Sequence, residues 1–183
     1  EIGMGNLAFE RSDMDRAATL FDDARDTAER IADYALLGAI QGNLGVLATV
    51  RGDSVQAVLH YTEAIKSYGR VRHRYGICQT QHNLGMCYAN QGEWQEALTT
   101  YGRCETLAED LGTLDVLANI KVSKALAEVR VEHLDDAEGT CLQAAKLMER
   151  LGDRLGTAES RKVEGMILRE RGQHTEARRR FEQ

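Results

Sequence analysis

Asn83-Leu84-Gly85-Met86-Cys87-Tyr88-Ala89-Asn90-Gln91-Gly92-Glu93-Trp94-Gln95-Glu96-Ala97-Leu98-Thr99-Thr100-Tyr101 decides the fold, because its key residues recur at a distance of forty. Asn43-Leu44-Gly45, Gly52, Ala57 and Tyr61 stand one period earlier, and Gly165, Gly172, Ala177 and Phe181 two periods later. The alanine is unbroken along the chain, at Ala17, Ala57, Ala97, Ala137 and Ala177. The glycine twelve residues before it is Gly5, Gly45, Gly85 and Gly165, with Ala125 in the remaining place. The aromatic four residues after it is Phe21, Tyr61, Tyr101 and Phe181, with Cys141 as the exception. A fixed period of this size marks a repeat architecture. Small residues at fixed places let helices approach closely, and an aromatic fills the space beside the contact.

Each period reads as two helices. Tyr34 to Arg51 contains no breaker except glycine, and Gly52-Asp53-Ser54 supplies a stop followed by N-capping side chains. Val55, Val58, Leu59, Tyr61, Thr62, Ile65 and Tyr68 then recur near helical spacing. Ala32-Asp33, Gly112-Thr113 and Gly152-Asp153 mark joints between periods. The chain has no proline, and no alternating β-branched run indicates a strand. The expected organisation is a single array over 1–183, with units of approximately 1–32, 33–72, 73–112, 113–152 and 153–183, the last incomplete.

Asn83-Leu84-Gly85, Tyr88, Gly92, Trp94, Ala97 and Tyr101 resemble a tetratricopeptide repeat, as do Asn43-Leu44-Gly45, Ala48, Gly52, Ala57, Tyr61 and Ala64. The usual repeat is about 34 residues of helix–turn–helix; this chain resembles the forty-residue variant. The resemblance covers essentially the whole chain and implies an all-α, right-handed superhelical solenoid of antiparallel helix pairs. The fourth unit departs most, with Lys124 for leucine, Glu128 for the aromatic and Glu132 for glycine.

Reactive chemistry is not encoded. Cys78, Cys87, Cys104 and Cys141 fall at packing phases, where cysteine acts as a small hydrophobe; they form no Cys-x-x-Cys pair and no zinc spacing. His60, His73, His82, His133 and His174 do not pair with one another at i, i+4. His133, beside Asp135 and Asp136, shares its phase with Asp13, Asp53, Glu93 and Gln173, and reads as a capping or solvent-facing residue at a helix start. The glycines are dispersed, so no phosphate loop forms. No cofactor and no metal are expected, and the chain reads as a non-enzyme. A net charge of -6, with Arg178-Arg179-Arg180 as the sole basic run, argues against nucleic acid. No apolar stretch spans a bilayer. Reduced thiols fit a cytoplasmic protein, and the polar last helix favours a monomer or a weak homodimer.

The family resemblance implies that the first helices of successive units line a concave face that holds a protein or peptide partner. Rows spaced by forty then define that face. They are Ile2, Gly42, His82, Val122 and Lys162; Asn6, Val46, Met86, Leu126 and Met166; Phe9, Thr49, Ala89, Val129 and Arg169; and Glu10, Val50, Asn90, Arg130 and Glu170. The lysine–asparagine clamp for a C-terminal carboxylate, found in chaperone-binding relatives, is not supported: Lys162 adjoins Met166, and Asn6 adjoins Ile2. The row Val46, Met86, Leu126, Met166 suits an amphipathic helix or a hydrophobic peptide, with His82, Asn90, Arg130, Lys162 and Arg169 as a polar rim. The same row also reads as core between neighbouring first helices. Two functional readings follow: an interaction scaffold, or a ligand- or peptide-sensing region of a larger signalling or transcription-regulator protein.

Overall fold

A computed structural model describes residues 2–182. Its elements are α1 (Ile2–Glu10), α2 (Met14–Arg30), α3 (Tyr34–Val50), α4 (Ser54–Arg70), α5 (Arg74–Asn90), α6 (Trp94–Leu111), α7 (Leu114–Arg130), α8 (Leu134–Leu151), α9 (Arg154–Glu170) and α10 (His174–Phe181). No strand occurs among the described residues. The chain divides into two compact units, Glu1–Cys87 and Tyr88–Gln183, with the division inside α5.

The turns repeat at half the sequence period. Residues 12, 32, 52, 72, 92, 112, 132, 152 and 172 all take positive φ, between 54° and 78°. Glycine fills five of these places; Ser12, Ala32, Arg72 and Glu132 fill the others and bear the steric cost of the left-handed region. The next residue opens a helix. The side chains of Asp13, Asp33, Asp53 and Asp153 each accept a backbone N–H three residues on, at 3.2, 3.0, 3.1 and 2.9 Å. His73 caps α5 in the same way, its Nδ1 accepting from the Gly76 N–H at 2.9 Å. His133 occupies the equivalent place without a capping bond and is exposed, so of its two readings the solvent-facing one holds.

Size complementarity joins the helices. A Cβ added to Gly5 would lie 2.6 Å from the Phe21 ring, one on Gly45 2.5 Å from Tyr61, and one on Gly165 2.7 Å from Phe181. The expected pairing of glycine with aromatic is therefore a direct backbone-to-ring contact. Where the glycine becomes Ala125, the aromatic becomes Cys141, and both lie in one buried cluster. A second pairing crosses the joints. Gly76 accommodates Tyr68, and Gly156 accommodates Met148. At the same phase small Ala28 precedes Leu36, and small Ala108 precedes Val116. On α3, Tyr68 lies against Gly38 and Tyr61 against Gly45, so contacts move up one helix as they move down the other. That order makes the pair antiparallel.

The recurring alanines sit at the centre of this packing. Ala17, Ala57, Ala97 and Ala137 are wholly buried, and Ala177 nearly so. All four cysteines are buried, and none is joined in a disulfide. Burial pushes the Cys141 thiol up to about 11, which suits a packing role.

Candidate functional site: the face of the first helices

The turns and caps set the bounds of α1, α3, α5, α7 and α9, the helices that carry the predicted rows. In Glu1–Cys87, Val46 and Thr49 of α3 and His82 of α5 are half-buried, while Val50 and Met86 are exposed, Met86 at 44%. Thr49 is engaged within the fold, since its hydroxyl donates to the Gly45 carbonyl at 2.9 Å and lies 3.2 Å from the Tyr61 hydroxyl. Burial pushes the His82 imidazole down to about 4, so His82 enters this face neutral rather than as a cation.

In Tyr88–Gln183, Leu126 and Met166 are half-buried and pack against the cluster of Ala125, Val129, Ala137, Cys141, Val163 and Ile167. Val129 does not belong to the face. Only 5% of it is exposed, because it packs into the cluster formed by α7, α8 and α9. The cations predicted for the rim are exposed and partly engaged. The Arg130 guanidinium lies 5.7 Å over the Trp94 ring. Lys162 is 3.6 Å from Glu159, and Arg169 is 2.9 Å from Glu170. Asn90 is exposed.

Two features draw on residues beyond the predicted rows. One is a cleft of about 310 Å³ lined by Asn6, Phe9, Glu10, Phe21, Asn43 and Val46. Asn43 and Phe21 belong to other phases, so rows alone do not gather them. The other lies in the fourth pair, where the departures from pattern form a buried polar network. Glu105 of α6 bonds both Lys121 and Lys124 of α7, the latter at 2.7 Å, and the Lys121 ammonium also donates to Gln143 Oε1 at 2.8 Å. Burial pulls the Glu105 carboxyl up, but hydrogen bonds from the two lysines more than offset this and hold it below the usual value. Glu128 is raised, chiefly by burial, and its Oε2 has no hydrogen-bond partner. The unusual charges Lys124 and Glu128 are visible in the sequence, but their partners on α6 and α8 are not.

Among the described residues, no group of three or more His, Cys, Asp and Glu side chains comes together as a metal site, and no helix is long and apolar enough to cross a membrane.

A family model described as the tetratricopeptide repeat matches residues 81–115, which enclose most of the stretch that sets the period. No curated protein matches the chain. Among solved structures, the chain is similar to RapI in its apo form, at a TM-score of 0.90 and 10% identity, over 99% of this chain and 66% of that one. It is similar to aspartyl phosphate phosphatase F from Bacillus subtilis, at a TM-score of 0.85 and 16% identity, over 98% of this chain and 47% of that one. Nearly identical TPR-like repeats from Podosopora anserina align at a TM-score of 0.79 and 14% identity, over 99% and 90%. The chain thus spans just under two thirds of RapI and about half of the phosphatase. At these identities the likeness is one of fold. With the matched repeat and the forty-residue register of glycine, alanine and aromatic, it gives the chain a tetratricopeptide-repeat-like fold, an all-α array of helix pairs.

Proposed function

We propose that the chain is a non-enzymatic scaffold that binds a protein or peptide through the face of its first helices. The observation that carries this reading is the accessibility of the apolar row. Packing rows of the same period, such as Ala17, Ala57, Ala97 and Ala137, are wholly buried, whereas Met86 is 44% exposed and Val46, Leu126 and Met166 are half-buried. Side chains that repeat apolar character without completing a core favour an apolar partner surface. Methionines suit such a surface because they are flexible and polarisable.

Met86→Glu and Leu126→Glu test the reading together and separately. Partner capture should be lost while helicity and melting temperature stay near wild type. Loss of folding would instead place the row in the core, since a carboxylate buried without a partner is strongly destabilising. A second reading is a sensing region of a larger regulator. The fractional coverage of RapI and of the phosphatase favours it, since in both the shared fold is part of a longer chain. It requires that a ligand of this face shift the chain between two arrangements. Small-angle scattering that is identical with and without a saturating partner would exclude it.

A further inference from the structure

The α6–α7 and α8–α9 joints lie in one compact unit, Tyr88–Gln183, and differ at two places one helical turn apart. At the first joint, Tyr101 and Glu105 of α6 both reach α7. The Tyr101 side chain is 1% exposed, and its hydroxyl hydrogen-bonds the Ser123 side chain. The Glu105 carboxylate bonds Lys121 and Lys124. At the second joint, forty residues on, Cys141 stands in the place of the ring and Ala145 in that of the carboxylate. Both line a cavity of about 310 Å³ between α8 and α9.

The cation of the first joint is kept at the second. Arg161 lines the cavity at the phase of Lys121, half-buried and, among the described residues, without an ion pair. The carboxylates beside it are engaged or solvated. Glu164, which takes the place of Lys124, lies 2.9 Å from Arg180, Glu138 lies 2.8 Å from Arg171, and Glu149 is exposed. Cys141, Ala145 and Ile167 give the cavity apolar walls. The Cys141 thiol is already used, donating to the Ser160 carbonyl at 3.1 Å.

We infer that the α8–α9 cavity binds a small arylalkyl carboxylate, with its ring against Cys141, Ala145 and Ile167 and its carboxylate on Arg161. Such a ligand supplies the two groups that α6 presents to α7 and that α8 lacks. The volume is that of a small-molecule site, and apolar walls with one placed polar group are the usual make-up of such sites. A guanidinium selects a carboxylate by charge and by paired hydrogen bonds. None of Val46, Met86, Leu126 and Met166 lines the cavity, so the site stands or falls independently of the first-helix face.

The probe is 3-phenylpropionate, titrated calorimetrically at low salt against the full chain, with an expected Kd of about 0.1 mM for a ligand of this size. Its amide, which keeps shape and loses charge, should bind at least about tenfold more weakly. Butyrate, which keeps the charge and loses the ring, should weaken by a similar factor of about ten or more. Arg161→Gln, which copies Gln41 and Gln81 at the same phase, should bring acid and amide to equal affinity. Ala145→Glu, which copies Glu105, brings a carboxylate to Arg161 from the chain itself and should abolish binding with helical circular dichroism intact. Should that variant fold poorly, Ala125→Gly with Cys141→Tyr restores the glycine–aromatic pair of the other units and fills the ring's place instead. Equal binding of acid and amide by the wild type, an acid preference that survives Arg161→Gln, wild-type affinity in a folded filling variant, or no binding up to about 5 mM would each overturn the assignment.

Discussion

Glu105→Gln is the sharpest test of the polar network in the fourth pair. The substitution keeps side-chain shape and removes one charge. In the wild type the carboxylate bridges two ammonium groups, and the side chains of Glu105, Lys121 and Lys124 are only 16%, 7% and 25% exposed. Without it, Lys121 retains Gln143 Oε1 at 2.8 Å and the more exposed Glu109 carboxylate at 4.0 Å. Breaking a buried pair by removing one partner costs about 3–5 kcal/mol. Because Glu109 stands ready as a weaker substitute, the expected loss is near the lower bound, about 3 kcal/mol. Urea unfolding followed by Trp94 fluorescence measures it, since Trp94 belongs to the same compact unit.

Lys121→Met in the Glu105→Gln background should recover much of the loss, because it removes the buried ammonium that Glu105→Gln leaves without its carboxylate. A Glu105→Gln protein within about 0.5 kcal/mol of wild type, the range of ordinary surface substitutions, would refute the network. The pH dependence gives an independent check. The folded-state pKa of Glu105 is depressed, so its stabilisation is present above the unfolded carboxyl value, about 4.3, and is lost as pH falls through the folded value. The variant's deficit should therefore shrink in acid.

Glu128 carries the opposite sign. Its folded-state pKa is raised, so its contribution is present below the unfolded value and lost as pH rises through the folded one. Glu128→Leu, which copies Leu168 at the same phase, should stabilise the chain at pH 7 by about 1 kcal/mol through removal of an unsatisfied buried oxygen; a lower urea midpoint at pH 7 would contradict this. Gly45→Ala places a methyl 2.5 Å from the Tyr61 ring and should cost about 1–3 kcal/mol. Combining it with Tyr61→Cys, after the Ala125–Cys141 pair, should cost less than the sum of the two single changes, and strict additivity would show that the ring does not rest on the glycine. Glu132→Gly should raise stability by about 1 kcal/mol, since Glu132 holds φ at 62°; an unchanged melting temperature would mean the turn is not held there. Protonating His82 should destabilise Glu1–Cys87 as pH falls from the unfolded imidazole value, about 6.5, towards about 4, and a flat tyrosine-monitored stability over that range would count against its burial.

The fold was legible because a repeat writes the same physical constraint several times. A single Gly45 carries little information, but Gly5, Gly45, Gly85 and Gly165 beside Phe21, Tyr61, Tyr101 and Phe181 define a contact. The turn period of twenty was half hidden. Gly52, Gly92 and Gly172 announce one set of left-handed residues, and Gly112 and Gly152 the other, yet Arg72 and Glu132 adopt the same φ with no favourable residue type. At those places, tertiary packing of the flanking helices overrides local preference.

The compensating pairs are legible in principle and hidden for a definable reason. Reading one phase at a time seeks sameness, and Tyr68 among Ala28, Ala108 and Met148 looks like noise. Beside the phase eight residues on, it becomes order: Leu36 and Val116 follow alanine, and Gly76 and Gly156 follow tyrosine and methionine. The volume of the joint is conserved, not the residue. The same logic separates core from surface at the first-helix face. The row of Val129 directs it to that face, but the buried cluster at Cys141 claims it. Met86 shares its row with Leu126, yet the first is exposed and the second half-buried. A row fixes the direction in which a side chain leaves its helix. Whether that side chain is covered depends on the sizes of its neighbours in other rows, and this is why Asn6 beside Val46 leaves a cleft where Leu126 and Met166 cover their floor.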